Sequence, residues 1–376
     1  MPQNAGGPRH RYAALDSLRG ICACMVVLHH AMASGHIALV DNAFLFVDFF
    51  FVLSGFVIAS SYAEKLAGGY RIRDFMQLRF ARIYPLHAFM LFMFFLMEVG
   101  VALLHRGGSY GREPFSGLFM PQDLLSSLTL TQIVFSHDRM AWNFPSWSIA
   151  AEMWTYLAFA ALVGFLPRRA GATCMLIALA GPLILPLLSD YGMNVIHGPG
   201  AIVRCLSGFA LGVLAYKWST AALRPELGRW QSTAIELAAL LAVILFVSAY
   251  GRSPVSYGAP YLFLAAILVF VRQGGMVSGL LARKWATGLG ALSYSIYMVH
   301  MFLLYRFRQV AEKVSGFTGH DLLAGDNPLL IAGMGALFLA LVLLCASLAN
   351  RFVERPAQAF LRRQFDERRQ PLVAAP

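Results

Sequence analysis

Long apolar runs, separated by short polar loops, fill most of this chain. About ten of them reach or approach the roughly 20 residues that a helix needs to cross a bilayer. The eighth run is short, and a further stretch at 121–135 has the character of an interfacial or re-entrant segment. The pattern predicts membrane spans at approximately 14–33, 43–63, 83–105, 146–166, 172–189, 199–218, 232–250, 258–272, 288–308 and 328–350.

The composition supports a membrane protein. Apolar residues make up 58% of the 376 residues and charged residues only 13%, which is far from the usage of a soluble domain. The net charge of +11 does not indicate nucleic-acid binding, because the basic residues lie in short loops between apolar runs. If both termini are cytoplasmic, most of the Lys and Arg residues lie on the cytoplasmic side of the membrane. We therefore predict an all-α, polytopic transmembrane bundle of about ten spans in the inner or plasma membrane.

This bundle is predicted to be a single domain over residues 1–376. Its core covers about 12–356, and polar cytoplasmic tails occupy 1–11 and 357–376. The one sizeable loop on the opposite side, at about 106–145, is too short for a separate catalytic domain.

Ionisable residues inside the predicted spans are the first candidates for function. Arg19 and His30 are eleven residues apart, so they share a helix face roughly 16 Å apart along the axis. Four further groups, each in a different span, lie at a depth comparable to that of His30: Asp48, Glu152, Arg204 and His300. Charges in lipid are tolerated mainly when they face one another or a wet cavity, so we expect a shared polar chamber. The alternative is structural: each carboxylate neutralises an arginine, and each histidine only joins two helices.

A second cluster precedes the third span, where Arg71, Arg73, Arg79 and Arg82 lie within twelve residues. Arg79 and Arg82 are neighbours at helical spacing, and two guanidinium groups on one face can bind phosphate bidentately. The alternative is that these residues only set the topology or touch anionic lipid heads.

Five segments resemble, in order, motifs of the acyltransferase-3 family of membrane-bound acyltransferases. They run Leu15-Asp16-Ser17-Leu18-Arg19-Gly20 to His30, Asp48-Phe49-Phe50-Phe51-Val52-Leu53-Ser54-Gly55, Arg79-Phe80-Ala81-Arg82-Ile83-Tyr84-Pro85, Pro145-Ser146-Trp147-Ser148-Ile149-Ala150-Ala151-Glu152 and Leu292-Ser293-Tyr294-Ser295-Ile296-Tyr297-Met298-Val299-His300. The family's basic motif usually opens with two adjacent cations, whereas Leu78 precedes Arg79 here. The chain also ends at Pro376 without the hydrolase-like domain that some relatives carry.

The resemblance implies transfer of an acyl group, often acetyl, from cytoplasmic acyl-CoA to a hydroxyl. The acceptor would be a carbohydrate, a polysaccharide precursor, a lipid-linked sugar or a small molecule. His30 would be the general base, with Glu152 or Asp48 supporting its imidazole. Oxyanion donors would come from Ser148, Trp147 and Arg204, with Ser54 and His300 as further site candidates. Arg79 and Arg82, helped by Arg73 and with Arg19 at the entrance, would hold the CoA phosphates; no metal is implied.

Two other functions fit the same residues. A transporter or flippase would also need intramembrane charges and a polar chamber, although the chain shows no matching pair of Gly/Pro-broken spans. A histidine-based membrane acyltransferase of another family, acting on lipid or protein, is the third possibility. The sequence leaves the oligomeric state open.

Overall fold

The structure of the protein, a computed structural model, describes residues 12–32, 37–106, 112–135, 141–189, 192–221, 227–318 and 327–367. Within these ranges the chain forms helices and no strand. The α-helices are α1 (Ala13–Met32), α2 (Ala38–Asp41), α3 (Phe46–Ala67), α4 (Ile72–Arg106), α5 (Pro121–Leu128), α6 (Gln132–Phe135), α7 (Ser146–Phe165), α8 (Ala170–Leu188), α9 (Gly198–Ala221), α10 (Arg229–Tyr250), α11 (Ala259–Phe270), α12 (Met276–Leu281), α13 (Lys284–Thr318), α14 (Pro328–Ala349) and α15 (Arg355–Glu367). A π-helical turn, Asn350–Glu354, joins α14 to α15.

Eight helices of the described chain are long and apolar enough to cross a membrane. They are α3, α4, α7, α8, α9, α10, α13 and α14, and each covers one of the ten predicted spans. Of the remaining two, α11 is only 12 residues long, as its short apolar run indicated. The other, α1, has 20 residues but is less apolar because it carries charged and histidine side chains. The all-helical prediction is confirmed, and the protein is a multi-pass membrane protein.

Several helices continue well beyond the predicted spans. The helix α4 begins at Ile72 instead of 83, so Pro85 lies inside it and not in its first turn. Likewise, α13 extends from Lys284 to Thr318, and the polar segment after 356 continues as α15. Hydropathy reports the thickness of the apolar layer, whereas a helix ends only where its backbone hydrogen bonds end. Arg79 and Arg82 are therefore helical residues and lie on one face of α4.

Two glycines bring α1 and α13 into backbone contact. A Cβ atom on Gly20 would lie 2.6 Å from the backbone nitrogen of Gly290, and one on Gly290 would collide with the carbonyl of Asp16. Small residues permit such close packing between membrane helices. The contact fixes Arg19, next to Gly20, against the backbone of α13.

The segment at 121–135 forms a helical hairpin, α5 and α6, that packs against α4 and α7. The indole of Trp154, two turns into α7, donates to the carbonyl of Leu130 at 2.8 Å, and His87 of α4 bonds the carbonyl of Ser127 at 2.8 Å. Non-helical backbone within a membrane protein needs such partners. These bonds hold the hairpin against α4 and α7, and its interfacial or re-entrant position stays a prediction.

Candidate active site

A cavity of about 170 Å³ lies among α1, α3, α4, α7 and α13, and we call it the chamber. Six of the predicted site residues line it: Arg19, Ser54, Arg79, Arg82, Ser148 and Glu152. The aromatic residues Phe50, Phe51, Tyr156, Tyr294 and Tyr297 line it as well. The chamber therefore combines three arginines, one carboxylate and several hydroxyl groups inside an apolar wall.

The three arginines lie at one end of the chamber, which we call the arginine end. Arg19 donates to Ser293 Oγ at 2.9 Å and to the carbonyl of Gly290 at 3.1 Å. Arg82 forms an ion pair with Glu354, whose side chain is almost wholly buried. Arg79 Nη2 lies 3.4 Å from the Tyr62 hydroxyl, and its guanidinium lies 5.2 Å from the centroid of the Tyr62 ring. Its Nε atom is buried and, among the residues that the structure describes, has no hydrogen-bond partner.

Glu152 is the carboxylate of the chamber. It lies two turns along α7, where it is hydrogen-bonded to Ser54 and Tyr156. The hydroxyls of Ser54 and Tyr156 also lie 2.9 Å apart. The positive charges of Arg79 and Arg19 act on this carboxylate. Glu152 thus stabilises the arginine end electrostatically, and its contacts do not extend to the imidazole of His30.

Ser148 and Tyr297 close the opposite end of the chamber. Ser148 Oγ donates to the carbonyl of Pro145 at 3.0 Å, so the Tyr297 hydroxyl, 3.0 Å away, is the donor toward Ser148. The ring of Tyr297 lies 5.8 Å from that of His300, which is one turn further along α13. Tyr297 is therefore the link between the chamber and the histidines.

His30 and His300 form a pair of imidazoles on neighbouring helices, with ring centroids 5.1 Å apart. His30 Nδ1 lies 2.9 Å from the carbonyl of Val26, and His300 Nδ1 lies 2.6 Å from the carbonyl of Tyr297. A carbonyl oxygen can only accept, so in each neutral ring Nδ1 carries the hydrogen and Nε2 keeps its lone pair. Within the described chain, the buried Nε2 of His300 has no hydrogen-bond partner.

One more side chain of this region has an unmet hydrogen-bonding group. Asn143, in the turn before α7, donates from Nδ2 to the carbonyl of Met298 at 3.0 Å. Its Oδ1 is buried and, in the part of the chain that is described, lacks a partner. The next residue, Phe144, places its ring 5.8 Å from that of His30. We call this end of the site, with His30, His300 and Asn143, the histidine end.

Asp48 and Arg204 lie apart from the chamber, in a closed ion pair. Arg204 Nε and Nη2 hold the two carboxylate oxygens at 2.9 and 2.7 Å, and both side chains are buried. Arg204 also bonds the carbonyl of Val195 at 3.1 Å, and its guanidinium stacks 5.3 Å from the ring of Trp147. This arrangement corresponds to the structural pairing that the sequence left open. The expected single polar chamber is thus divided into the chamber, the histidine pair and this ion pair.

Arg73 also lies elsewhere. It lines a separate apolar groove of about 660 Å³ between α4, α7 and the hairpin, with Tyr84, Trp154 and Phe365 among its neighbours. The sequence grouped Arg73 with Arg79 and Arg82 because only spacing was available. No role was predicted for Glu354 from the sequence. The signal for it was an acidic residue that follows the last apolar run and is flanked by basic residues. Over the described residues, no group of three or more His, Cys, Asp or Glu side chains could hold a metal ion.

Comparisons with known proteins identify the family of the chain. A family model described as an acyltransferase domain, acyltransferase-3, matches residues 12–349. The acyltransferase MdmB of Streptomyces mycarofaciens is 28% identical in an alignment of 361 positions that covers 88% of this chain and 83% of that protein. The putative membrane-bound transacylase BcsY of Komagataeibacter xylinus is 24% identical in an alignment that covers 78% of this chain and 73% of that protein.

A third relative, the O-acetyltransferase OatA of Staphylococcus aureus, is 22% identical over 91% of this chain. The matched part is 56% of that longer relative. No solved structure matches the chain. Because one family model accounts for nearly all of the sequence, and relatives along most of its length are acyltransferases, this chain belongs to the acyltransferase-3 family and is an O-acyltransferase.

Proposed function

We propose that the protein transfers an acyl group, most simply acetyl, from cytoplasmic acyl-CoA to a hydroxyl of a carbohydrate, a polysaccharide precursor or a related acceptor. The observation that carries this proposal is the continuity of the site: three arginines open one end of the chamber, and Tyr297 at the other end adjoins His300. The buried Nε2 of His300 has no hydrogen-bond partner among the described residues, and its ring lies 5.1 Å from that of His30. The acetyl group is supported by the name of the OatA relative, an O-acetyltransferase. The carbohydrate acceptor rests on the family resemblance.

The donor fits the charges of the chamber. Arg79 is a guanidinium with a buried N–H that has no acceptor among the described residues, which is the property of a group awaiting an anion. A phosphate oxygen is such an anion, and Arg–phosphate contacts are strong and directional. The arginine end would therefore face the cytoplasm, as the distribution of Lys and Arg also favours. The long pantetheine arm would lie in the chamber, with its thioester near Ser148 and Tyr297.

The histidine end would perform the proton transfer. His30 Nε2 accepts the proton of the acceptor hydroxyl while that oxygen attacks the thioester carbonyl. The resulting oxyanion is stabilised by hydroxyl donors at the end of the chamber. As the intermediate collapses, the C–S bond breaks and the CoA sulfur leaves as thiolate, which takes the proton from the His30 imidazolium. The ester is formed and the enzyme returns to its starting state.

This mechanism assigns different roles from those that the sequence suggested for the carboxylates. Asp48 has both oxygens engaged by Arg204, and Glu152 is engaged with Ser54 and Tyr156. The imidazole of His300 instead lies against the ring of His30, with the ring centroids 5.1 Å apart. We propose His300 as the residue that supports the charged form of His30. The transporter and flippase alternative is superseded, since the chain belongs to an acyltransferase family.

The experiment is thermal stabilisation of the detergent-purified protein by acetyl-CoA, in the wild type and in Arg79→Ala. A ligand that binds only the folded state raises the apparent melting temperature. Stabilisation should be present in the wild type and largely lost in Arg79→Ala. Arg73→Ala is the matched control on the same helix and should behave as the wild type, because Arg73 lines another groove.

Failure of the wild type to respond to millimolar acetyl-CoA and to longer acyl-CoAs would overturn the proposed donor. Equal loss in Arg79→Ala and Arg73→Ala would overturn the placement of the phosphates in the chamber. Arg82 is left unchanged in this test, since removing it would leave the buried carboxylate of Glu354 without its ion pair.

A further inference from the structure

A second polar cavity, of about 240 Å³, adjoins the chamber at the arginine end, and we call it the vestibule. Arg19 and Arg82 line both cavities and so stand between them. The rest of its wall comes from the start of α1, from α13, from the π-helical turn and from α15. It consists of Asp16, Ala291, Asn350, Glu354, Arg355 and Gln358.

Carboxylates hold the two shared arginines in place. Arg82 pairs with Glu354, which also accepts hydrogen bonds from Ser295 at 2.5 Å and from Asn350 at 2.9 Å. Arg19 lies 3.5 Å from a carboxylate oxygen of Asp16. A guanidinium has five N–H donors, so each arginine keeps donors for a ligand after these contacts are made. The carboxylates therefore fix the positions of the two arginines and leave some of their N–H donors for a ligand.

The C-terminal helix adds two further donors. Arg355 and Gln358 are three residues apart on α15, which places them on one helix face toward the vestibule. Gln358 Nε2 is buried and has no acceptor among the described residues. The π-helical turn before α15 directs Glu354 inward, and such turns are frequent at functional sites. With three arginines against two carboxylates, the vestibule carries a surplus of positive charge.

We infer that the vestibule binds phosphate groups at the nucleotide end of the acyl donor, with Arg355 and Gln358 as phosphate ligands beside Arg19 and Arg82. This inference rests on the proposed function and extends it: Arg79 contacts one phosphate at the arginine end of the chamber, the remaining phosphates of the nucleotide lie in the vestibule, and the thioester arm lies deeper in the chamber. The arm passes between Arg19 and Arg82. Glu354 is a positioning residue that acts through Arg82.

The test compares coenzyme A with pantetheine, which keeps the arm but has no nucleotide phosphates. Thermal stabilisation of the full-length protein in neutral-lipid nanodiscs gives the half-saturating concentration of each. Arg355→Gln and Gln358→Leu should raise that concentration for coenzyme A by about tenfold or more, the usual effect of losing a hydrogen bond to a charged group. Neither variant should change the response to pantetheine. Arg351→Gln is the matched control, since Arg351 is exposed on the same turn and lies over the ring of Phe352.

The outcomes separate this inference from the proposed function. If the wild type does not respond to coenzyme A or to acyl-CoA, the proposed donor itself fails. If the wild type responds and Arg79→Ala does not, but both α15 variants titrate like Arg351→Gln, only the vestibule inference fails. It is also overturned if phosphatidylglycerol added to the nanodiscs stabilises the wild type through Arg355 whereas coenzyme A acts independently of that residue. The melting temperature of each variant without ligand checks its fold.

Discussion

Arg204 holds both carboxylate oxygens of Asp48, at 2.9 and 2.7 Å, in a pair whose side chains are 1% and 0% exposed. The residues lie on α9 and α3, two helices packed along their lengths. Removing one partner of such a pair leaves an uncompensated buried charge, which is far more costly than removing both. The contact therefore gives Asp48 a structural role that can be tested against the catalytic one.

We expect Asp48→Asn to destabilise the protein by about 3–5 kcal/mol, because the guanidinium of Arg204 loses its counter-charge. The measurement is the apparent melting temperature of the purified protein, together with the turnover of the folded fraction. The double variant Asp48→Asn, Arg204→Met should recover part of the loss. An unchanged melting temperature with abolished turnover would instead make Asp48 a catalytic residue.

Replacing His30 by Gln should lower kcat by about 10²- to 10⁴-fold, because general-base assistance is lost. The donor should still bind, since the arginine end is untouched. The assay is transfer of radiolabelled acetyl from acetyl-CoA to a carbohydrate acceptor, with coenzyme A binding followed in parallel. His29→Gln is the matched control. His29 is the adjacent residue, but its Nδ1 lies 3.1 Å from the carbonyl of Val40 and so bonds α1 to α2. Equal effects of the two variants would remove His30 from the mechanism.

His300→Asn should lower kcat less than His30→Gln and leave the KM for the donor unchanged. The reason is that the imidazole of His300 lies against that of His30, with centroids 5.1 Å apart, whereas the proposed phosphate site is at the other end of the chamber. A role confined to packing would change the melting temperature but not kcat per folded molecule. Measuring both quantities for the same preparation separates the two roles.

Tyr297→Phe should reduce kcat by about 10²-fold if its hydroxyl turns from Ser148 to the oxyanion, the usual effect of removing one such donor. The ring stays, so packing against Phe50 and His300 is retained. Tyr305 lies on the same helix but outside the chamber, so Tyr305→Phe is the matched control and should change kcat little. A kcat for Tyr297→Phe within twofold of the wild type would exclude this hydroxyl from the reaction.

Gly290→Ala should destabilise the contact between α1 and α13 by about 1–3 kcal/mol, because the added methyl collides with the backbone at Asp16. It should also weaken donor binding, since Arg19 is bonded to the carbonyl of Gly290. Gly288→Ala, on the same helix, points into open space and should be neutral or slightly stabilising. Similar melting temperatures for the two variants would contradict the close approach of the helices.

The arginines of α4 show what residue spacing along one helix can predict and what it cannot. Arg79 and Arg82 were predicted to act together from their three-residue separation, and both line the chamber. Arg73, six residues before Arg79, belongs to another groove because it faces a different side of α4. The partner of Arg82 could not be derived at all, since Glu354 is 272 residues away along the chain.

The sequence by itself determined the all-helical membrane architecture and the identity of most charged groups inside it, because hydropathy and charge placement are properties of single segments. It also carried the family motifs. Only the tertiary structure decided which groups meet: Asp48 with Arg204, His30 with His300, and Glu152 with Ser54 and Tyr156. These pairings join helices that are distant in sequence, and helix rotation and neighbour order are set by side-chain packing, which hydropathy does not report.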